Sequence, residues 1–108
     1  MAEKVLLVIS TFPDLATAQQ IARKLIEEKC AACANILPAV ESIYRWQEKV
    51  EDATETLVLF KTTENGYERF QTSLRQLHPY EVPEIIAVPV TLGLQDYLHW
   101  VRDNCVGG

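Results

Sequence analysis

Residues 41–62 read ESIYRWQEKVEDATETLVLFKT, a pattern that predicts a long β-hairpin. The first arm, Glu41–Trp46, leads into the polar turn Gln47-Glu48-Lys49, and the return arm, Val50–Thr62, ends in an apolar run. A strand of this length extends over about 43 Å, whereas a 108-residue domain measures roughly 34 Å across. We therefore expect the hairpin to project from the domain, with its strand edges and aromatic side chains covered in an oligomer.

The sequence before the hairpin predicts a central strand followed by a helix. Val5–Ile9 is a short, unbroken apolar run, which is typical of a strand buried on both faces. Asp14 is a candidate N-cap, and apolar residues recur at helical spacing over residues 14–29. An extended segment then begins at Cys33, and Pro38 is expected to interrupt it before the hairpin.

The sequence after the hairpin predicts two more helices and a fourth strand. Apolar residues at helical spacing run from Tyr67 to Leu77, residues 84–90 are typical of a strand, and residues 94–105 form a short amphipathic pattern. The order β-α-β-β-α-β-α predicts an α+β, ferredoxin-like βαββαβ sandwich with an extra C-terminal helix, in one domain over residues 1–108.

Composition narrows the function classes. Fifteen acidic and ten basic residues give a formal net charge of −5, which disfavours nucleic-acid and anionic-membrane partners. The longest apolar runs fall far short of the roughly 20 residues that a membrane span requires. The segment Met1–Lys4 shows no signal-peptide pattern, and the three cysteines are an odd number. We expect a cytoplasmic location.

The motif Cys30-Ala31-Ala32-Cys33 is a candidate redox or metal site. A thiol–disulfide centre requires an acidified thiol, usually at a helix N-terminus, but this pair follows the end of a predicted helix. Buried, unreactive cysteines are therefore favoured over redox chemistry. A structural zinc site is also disfavoured. It requires four ligands, and the only other candidate ligands in the sequence are Cys105, His78 and His99.

A second candidate is the segment His78-Pro79-Tyr80-Glu81-Val82-Pro83-Glu84, in which two prolines stiffen a helix-to-strand connection. The prolines either only stop the helix while His78 caps carbonyl groups, or they fix a site that uses the imidazole, which binds copper, zinc or nickel well. The sequence allows both interpretations.

Two further pairs of candidate functional residues lie on the predicted strands of the hairpin. Glu55 and Lys61 lie on one strand face, where exposed charges are favoured over a polar cluster buried between subunits. Tyr44 and Trp46 also share a face and favour interface packing. The sequence has no phosphate-binding glycine loop and no recognised catalytic motif, so an enzyme is not expected.

Taken together, these motifs resemble the CutA divalent-cation tolerance family over residues 5–102. The matching segments are Val8-Ile9-Ser10-Thr11-Phe12-Pro13-Asp14, Ala31-Ala32-Cys33-Ala34-Asn35-Ile36-Leu37-Pro38, Ser42-Ile43-Tyr44-Arg45-Trp46, Lys61-Thr62, His78-Pro79-Tyr80-Glu81-Val82-Pro83-Glu84 and Tyr97-Leu98-x-Trp100.

The resemblance implies a homotrimer with PII-like architecture that binds copper or another divalent metal ion and has no organic cofactor. It implies metal ligation by His78 and Cys33. The residues expected around an inter-subunit pocket are Tyr44, Trp46, Glu55, Lys61, Tyr80 and Glu84. The alternative is a PII-like signalling or scaffold module that binds a small molecule or a partner protein between subunits.

Three positions differ from the family pattern. Ser10 and Leu77 stand where some members have a cysteine and a histidine, which removes two candidate copper ligands. Glu48 stands where a glycine is common in the hairpin turn. A non-glycine residue resists positive φ, so a different turn is expected.

Overall fold

Two central strands, β1 (Val5–Phe12) and β3 (Lys49–Thr63), organise a four-stranded antiparallel sheet. Strands β2 (Cys33–Trp46) and β4 (Ile86–Pro89) form its edges, in the order β2-β3-β1-β4. The computed structural model describes residues 3–106. Its elements are β1 (Val5–Phe12), α1 (Leu15–Glu27), β2 (Cys33–Trp46), β3 (Lys49–Thr63), α2 (Tyr67–Leu77), β4 (Ile86–Pro89) and α3 (Gln95–Asp103). The element order and the sheet order confirm the predicted ferredoxin-like α+β fold.

Helix α1 begins where the sequence places its cap. The Asp14 side chain accepts a hydrogen bond of 2.8 Å from the backbone N–H of Thr17, and this bond lowers the pKa of the Asp14 carboxyl group. The helix ends at Glu27, two residues before the predicted end, because Lys29 has a φ of 59°. A left-handed residue terminates a helix, so the chain turns towards β2 at this point.

Helices α1 and α2 pack on one face of the sheet and form the main core. The rings of Phe60 on β3 and Phe70 on α2 meet edge to face, with centroids 5.1 Å apart. The fully or nearly fully buried members of this core are Val8, Phe12, Ala18, Ile21, Ala22, Leu25, Cys30, Ala31, Val58, Phe60, Phe70 and Leu74. A smaller cluster under α3 contains Val5, Ala32, Leu98 and Val101.

The hairpin differs from its prediction at Pro38. Strand β2 is not interrupted there, because the chain forms a β-bulge in which Leu37 pairs with Leu57 and Val40 pairs with Glu55. Ala39, within the bulge, has a φ of 62°. The extra residue shifts the alternation of side chains along β2. Because of this shift, the even-numbered residues of β2 from Val40 to Trp46 lie on the same face as Glu55.

The hairpin turn also differs from its prediction. Gln47 and Glu48 have φ values of 50° and 66°, so both central residues adopt the left-handed conformation that suits a two-residue hairpin turn. The expectation that Glu48 avoids positive φ is therefore wrong. Continuous pairing of β2 with β3 up to Trp46 and Lys49 fixes the turn length and overrides the local preference.

The hairpin projects beyond the sheet, as predicted. The molecule measures 46 × 25 × 22 Å, and its radius of gyration of 14.4 Å exceeds the roughly 13 Å of a compact chain of this length. Its accessible surface is 6978 Å², whereas a compact 12.2 kDa monomer would expose roughly 6,100 Å². The single chain therefore has more surface than a compact monomer of its mass.

The sheet face opposite α1 and α2 is apolar and open. The apolar side chains of this open sheet face are Leu7, Ile9, Leu37, Leu57, Leu59, Ile86 and Val88, and the strand register places Thr11, Asn35 and Lys61 on the same side. Ile86 and Val88 are 53% and 47% exposed. The sequence predicted that β1 is buried on both faces, but Leu7 and Ile9 are only half-buried in the single chain.

The last two elements are shorter than predicted. Strand β4 covers Ile86–Pro89 instead of residues 84–90, and α3 covers Gln95–Asp103 instead of residues 94–105. Pairing with β1 runs only from Ile86 to Pro89, and Cys105 lies after the helix end. None of the helices within residues 3–106 has the length and apolar character needed to cross a membrane.

Candidate functional site

His78 lies at the end of α2 and joins the helix layer to β1. Its backbone N–H donates to the Leu74 carbonyl at 2.9 Å, and its ring stacks on Phe12 with centroids 4.6 Å apart. The ring is buried, with 7% exposure. The backbone N–H of Tyr80 donates to Nδ1 at 3.2 Å, so the proton lies on Nε2, which donates to the Thr11 carbonyl at 2.8 Å.

These contacts decide the charge of His78. Burial lowers the pKa of its imidazole below 6.5, and the Thr11 carbonyl and the Glu55 carboxylate offset this effect only in part. The ring is therefore neutral near pH 7, with both nitrogens in hydrogen bonds. His78 caps the Leu74 carbonyl of α2 through its backbone N–H, not through its ring. A metal ion would have to displace one of the two present partners of the ring.

Tyr80 and Glu55 form the second contact of this region. The Tyr80 hydroxyl donates to Glu55 Oε2 at 2.5 Å, and Glu55 is only 9% exposed. Burial, followed by the hydrogen bond to Glu55, raises the pKa of Tyr80 well above its usual value, so the phenol stays protonated and acts as a donor. Glu55 is thus a buried, paired carboxylate and not the exposed charge that the sequence favoured.

A cleft of about 660 Å³ opens beside this pair, between the outer part of the hairpin and the segment that follows α2. The residues lining it are Thr11, Ser42, Ile43, Tyr44, Trp46, Glu55, Tyr80, Glu81, Val82, Pro83 and Glu84. Five of the six residues predicted around a pocket therefore come together. The bulge after Leu37 contributes to this, because it places Tyr44 and Trp46 on the same face as Glu55.

Lys61, the sixth residue, lies elsewhere. Its ammonium group donates to the Asn35 side chain, and it is the cross-strand partner of Cys33. Six residues separate it from Glu55 along β3, which corresponds to about 20 Å. The two charges share a strand face, as predicted, but they do not form one cluster.

Cys33 and His78 also lie apart. Cys33 is level with Leu7 in the sheet, because both residues pair with Lys61, whereas His78 contacts the carbonyl of Thr11, four residues further along β1. This offset is about 13 Å. The Cys33 thiol lies 3.4 Å from the Tyr97 hydroxyl, and this contact, followed by burial, raises the pKa of Tyr97 to about 12. One chain therefore does not bring the two predicted metal ligands together.

The cysteines of the C-x-x-C motif face different surroundings. Cys30 is 2% exposed in the core, with its thiol 3.9 Å from the Ser73 hydroxyl, whereas Cys33 is half-buried beside Tyr97. This arrangement supports the interpretation of Cys30 as a buried, unreactive thiol. Between Glu3 and Val106, no group of three His, Cys, Asp or Glu side chains is placed to hold a metal ion.

Several residues of this region are not predicted by the sequence patterns. Thr11 acts through its backbone carbonyl, which no side-chain pattern reveals. Ser42 lines the cleft, and it could have been found from its position two residues before Tyr44 on the same strand face. Tyr97 was assigned to the C-terminal helix without its contact to Cys33, because sequence spacing does not show that α3 reaches this strand.

Comparison with known proteins places this geometry in a family. The family described as "CutA1 divalent ion tolerance protein" matches residues 6–104. The chain belongs to the CutA1 divalent ion tolerance family. This is a divalent-cation tolerance family and not a known enzyme family.

Individual CutA relatives agree in sequence and in structure. The chain is 45% identical over 97 residues to the divalent-cation tolerance protein CutA of Thermus thermophilus, covering 90% of this chain and 94% of that protein. The solved CutA1 structure from the same organism has a TM-score of 0.92 at 43% identity and covers 94% of this chain and 99% of that chain. CutA1 from Oryza sativa has a TM-score of 0.93 at 35% identity and covers 96% and 95% of the two chains.

Proposed function

We propose that the chain is a homotrimeric divalent-cation tolerance protein that binds copper or another divalent cation at a subunit boundary. Family membership supports the relation to divalent cations. The main support for the proposed assembly is the open sheet face, an apolar surface across the middle of the sheet that an oligomer would cover.

The strand edges give further support to assembly. Pairing of β3 with β1 ends at Thr56 and Phe12, so residues 49–55 of β3 have β2 on one side only. Strand β4 is the other edge of the sheet. Unpaired edges are surfaces on which another chain can add strands, and a closed ring of three copies would remove both kinds of edge.

The metal proposal requires donors from more than one chain. Copper and zinc bind imidazole nitrogen and thiolate sulfur well, and Cys33 is the more available donor because its thiol is half-buried on the open side of the sheet. His78 would have to release the Thr11 carbonyl or the Tyr80 amide. In this proposal a second subunit completes the coordination sphere that one chain lacks.

Native mass spectrometry of the metal-stripped protein, titrated with Cu²⁺ and Zn²⁺, tests both parts of the proposal. We expect a trimer with a fixed number of bound ions and at least tenfold weaker uptake in the variants Cys33→Ala and His78→Ala. His99→Ala is the matched control, because His99 is exposed and contacts Asp103 at 3.3 Å. Metal uptake that is equal in all three variants would contradict the assignment of ligands.

The cleft favours a second candidate function, a PII-like signalling or scaffold module that binds a small molecule. A volume of about 660 Å³ lies within the range of small-molecule sites. Thermal shift in the presence of metabolites, together with a search for protein partners, distinguishes this function from metal binding. In either case we propose a cytoplasmic location, which three unpaired cysteines support.

A further inference from the structure

No further inference is drawn: the strongest candidate, the contact of the Cys33 thiol with the Tyr97 hydroxyl where α3 reaches the open side of the sheet, belongs to the metal site already proposed and lies on the surface that the proposed trimer covers, with no second observation there that points to a ligand.

Discussion

At the scale of single residues, His78 shows how burial changes chemistry. Its motif was visible in the sequence, but its hydrogen-bond partner is a backbone carbonyl, and backbone atoms carry no sequence signal. The sequence therefore located the residue and left its role open between capping and ligation. The structure shows a neutral ring that joins the end of α2 to β1.

The lowered pKa of His78 predicts how stability depends on pH. The unfolded chain binds a proton near pH 6.5, whereas the folded chain binds it only at lower pH, so stability falls as pH falls below about 6.5. We expect His78→Gln to reduce the difference in urea midpoint between pH 7.5 and pH 5.5, at fixed protein concentration. His99→Gln, at an exposed site, is the control. A pH dependence that His78→Gln leaves unchanged would contradict the prediction.

Two buried hydroxyl groups give a second prediction: removing one should stabilise the protein, and removing the other should destabilise it. Ser10 is fully buried and its Oγ has no hydrogen-bond partner in the described structure, whereas the Thr62 hydroxyl donates to the Cys30 carbonyl at 2.6 Å. Removing an unsatisfied polar group relieves its desolvation cost, so we expect Ser10→Ala to stabilise the protein by about 1 kcal/mol.

Thr62→Val should destabilise the protein by roughly 1–3 kcal/mol, because it leaves the buried Cys30 carbonyl without its donor. Chemical denaturation of the two variants beside the unmodified chain measures both changes. A loss of stability in Ser10→Ala would show that its hydroxyl is satisfied after all.

At the scale of elements, the sequence predicted the helices and inner strands well and the hairpin details poorly. Helical spacing identified α2 from Tyr67 to Leu77 at both ends. Pro38 predicts an interruption of the strand because it lacks a backbone donor, but a bulge on an edge strand accommodates that loss. The position of the bulge decides which side chains face the cleft, so the site could not be assembled from alternation alone.

The hairpin turn gives a prediction at this scale. Glu48 has a φ of 66°, a conformation that costs a non-glycine residue about 1 kcal/mol. Glu48→Gly should remove this strain and stabilise the protein by about that amount, visible as a higher thermal midpoint. Lys49→Gly is the control, because Lys49 begins β3 and glycine weakens a strand. A midpoint that falls in both variants would show that the turn carries no such strain.

At the scale of the whole molecule, the open sheet face explains why one prediction failed in the single chain. The unbroken apolar run of β1 predicted burial on both faces, yet Leu7 and Ile9 are only half-buried. Such a run matches a strand whose second face is covered by another copy. The sequence pattern therefore describes the proposed assembly better than it describes the isolated chain.

Burial of the open sheet face in an assembly predicts the effect of placing one charge on it. Ile86 is 53% exposed in the single chain, so Ile86→Asp should leave the fold of one subunit intact. In an assembly that covers this face, the carboxylate would be buried without a partner, at a cost of several kcal/mol per ion. We expect sedimentation velocity at low micromolar concentration to show dissociation of Ile86→Asp, with circular dichroism unchanged. Gln71→Asp, on the exposed side of α2, should leave the trimer intact. A trimer that survives Ile86→Asp would mean that the subunits do not meet through this face.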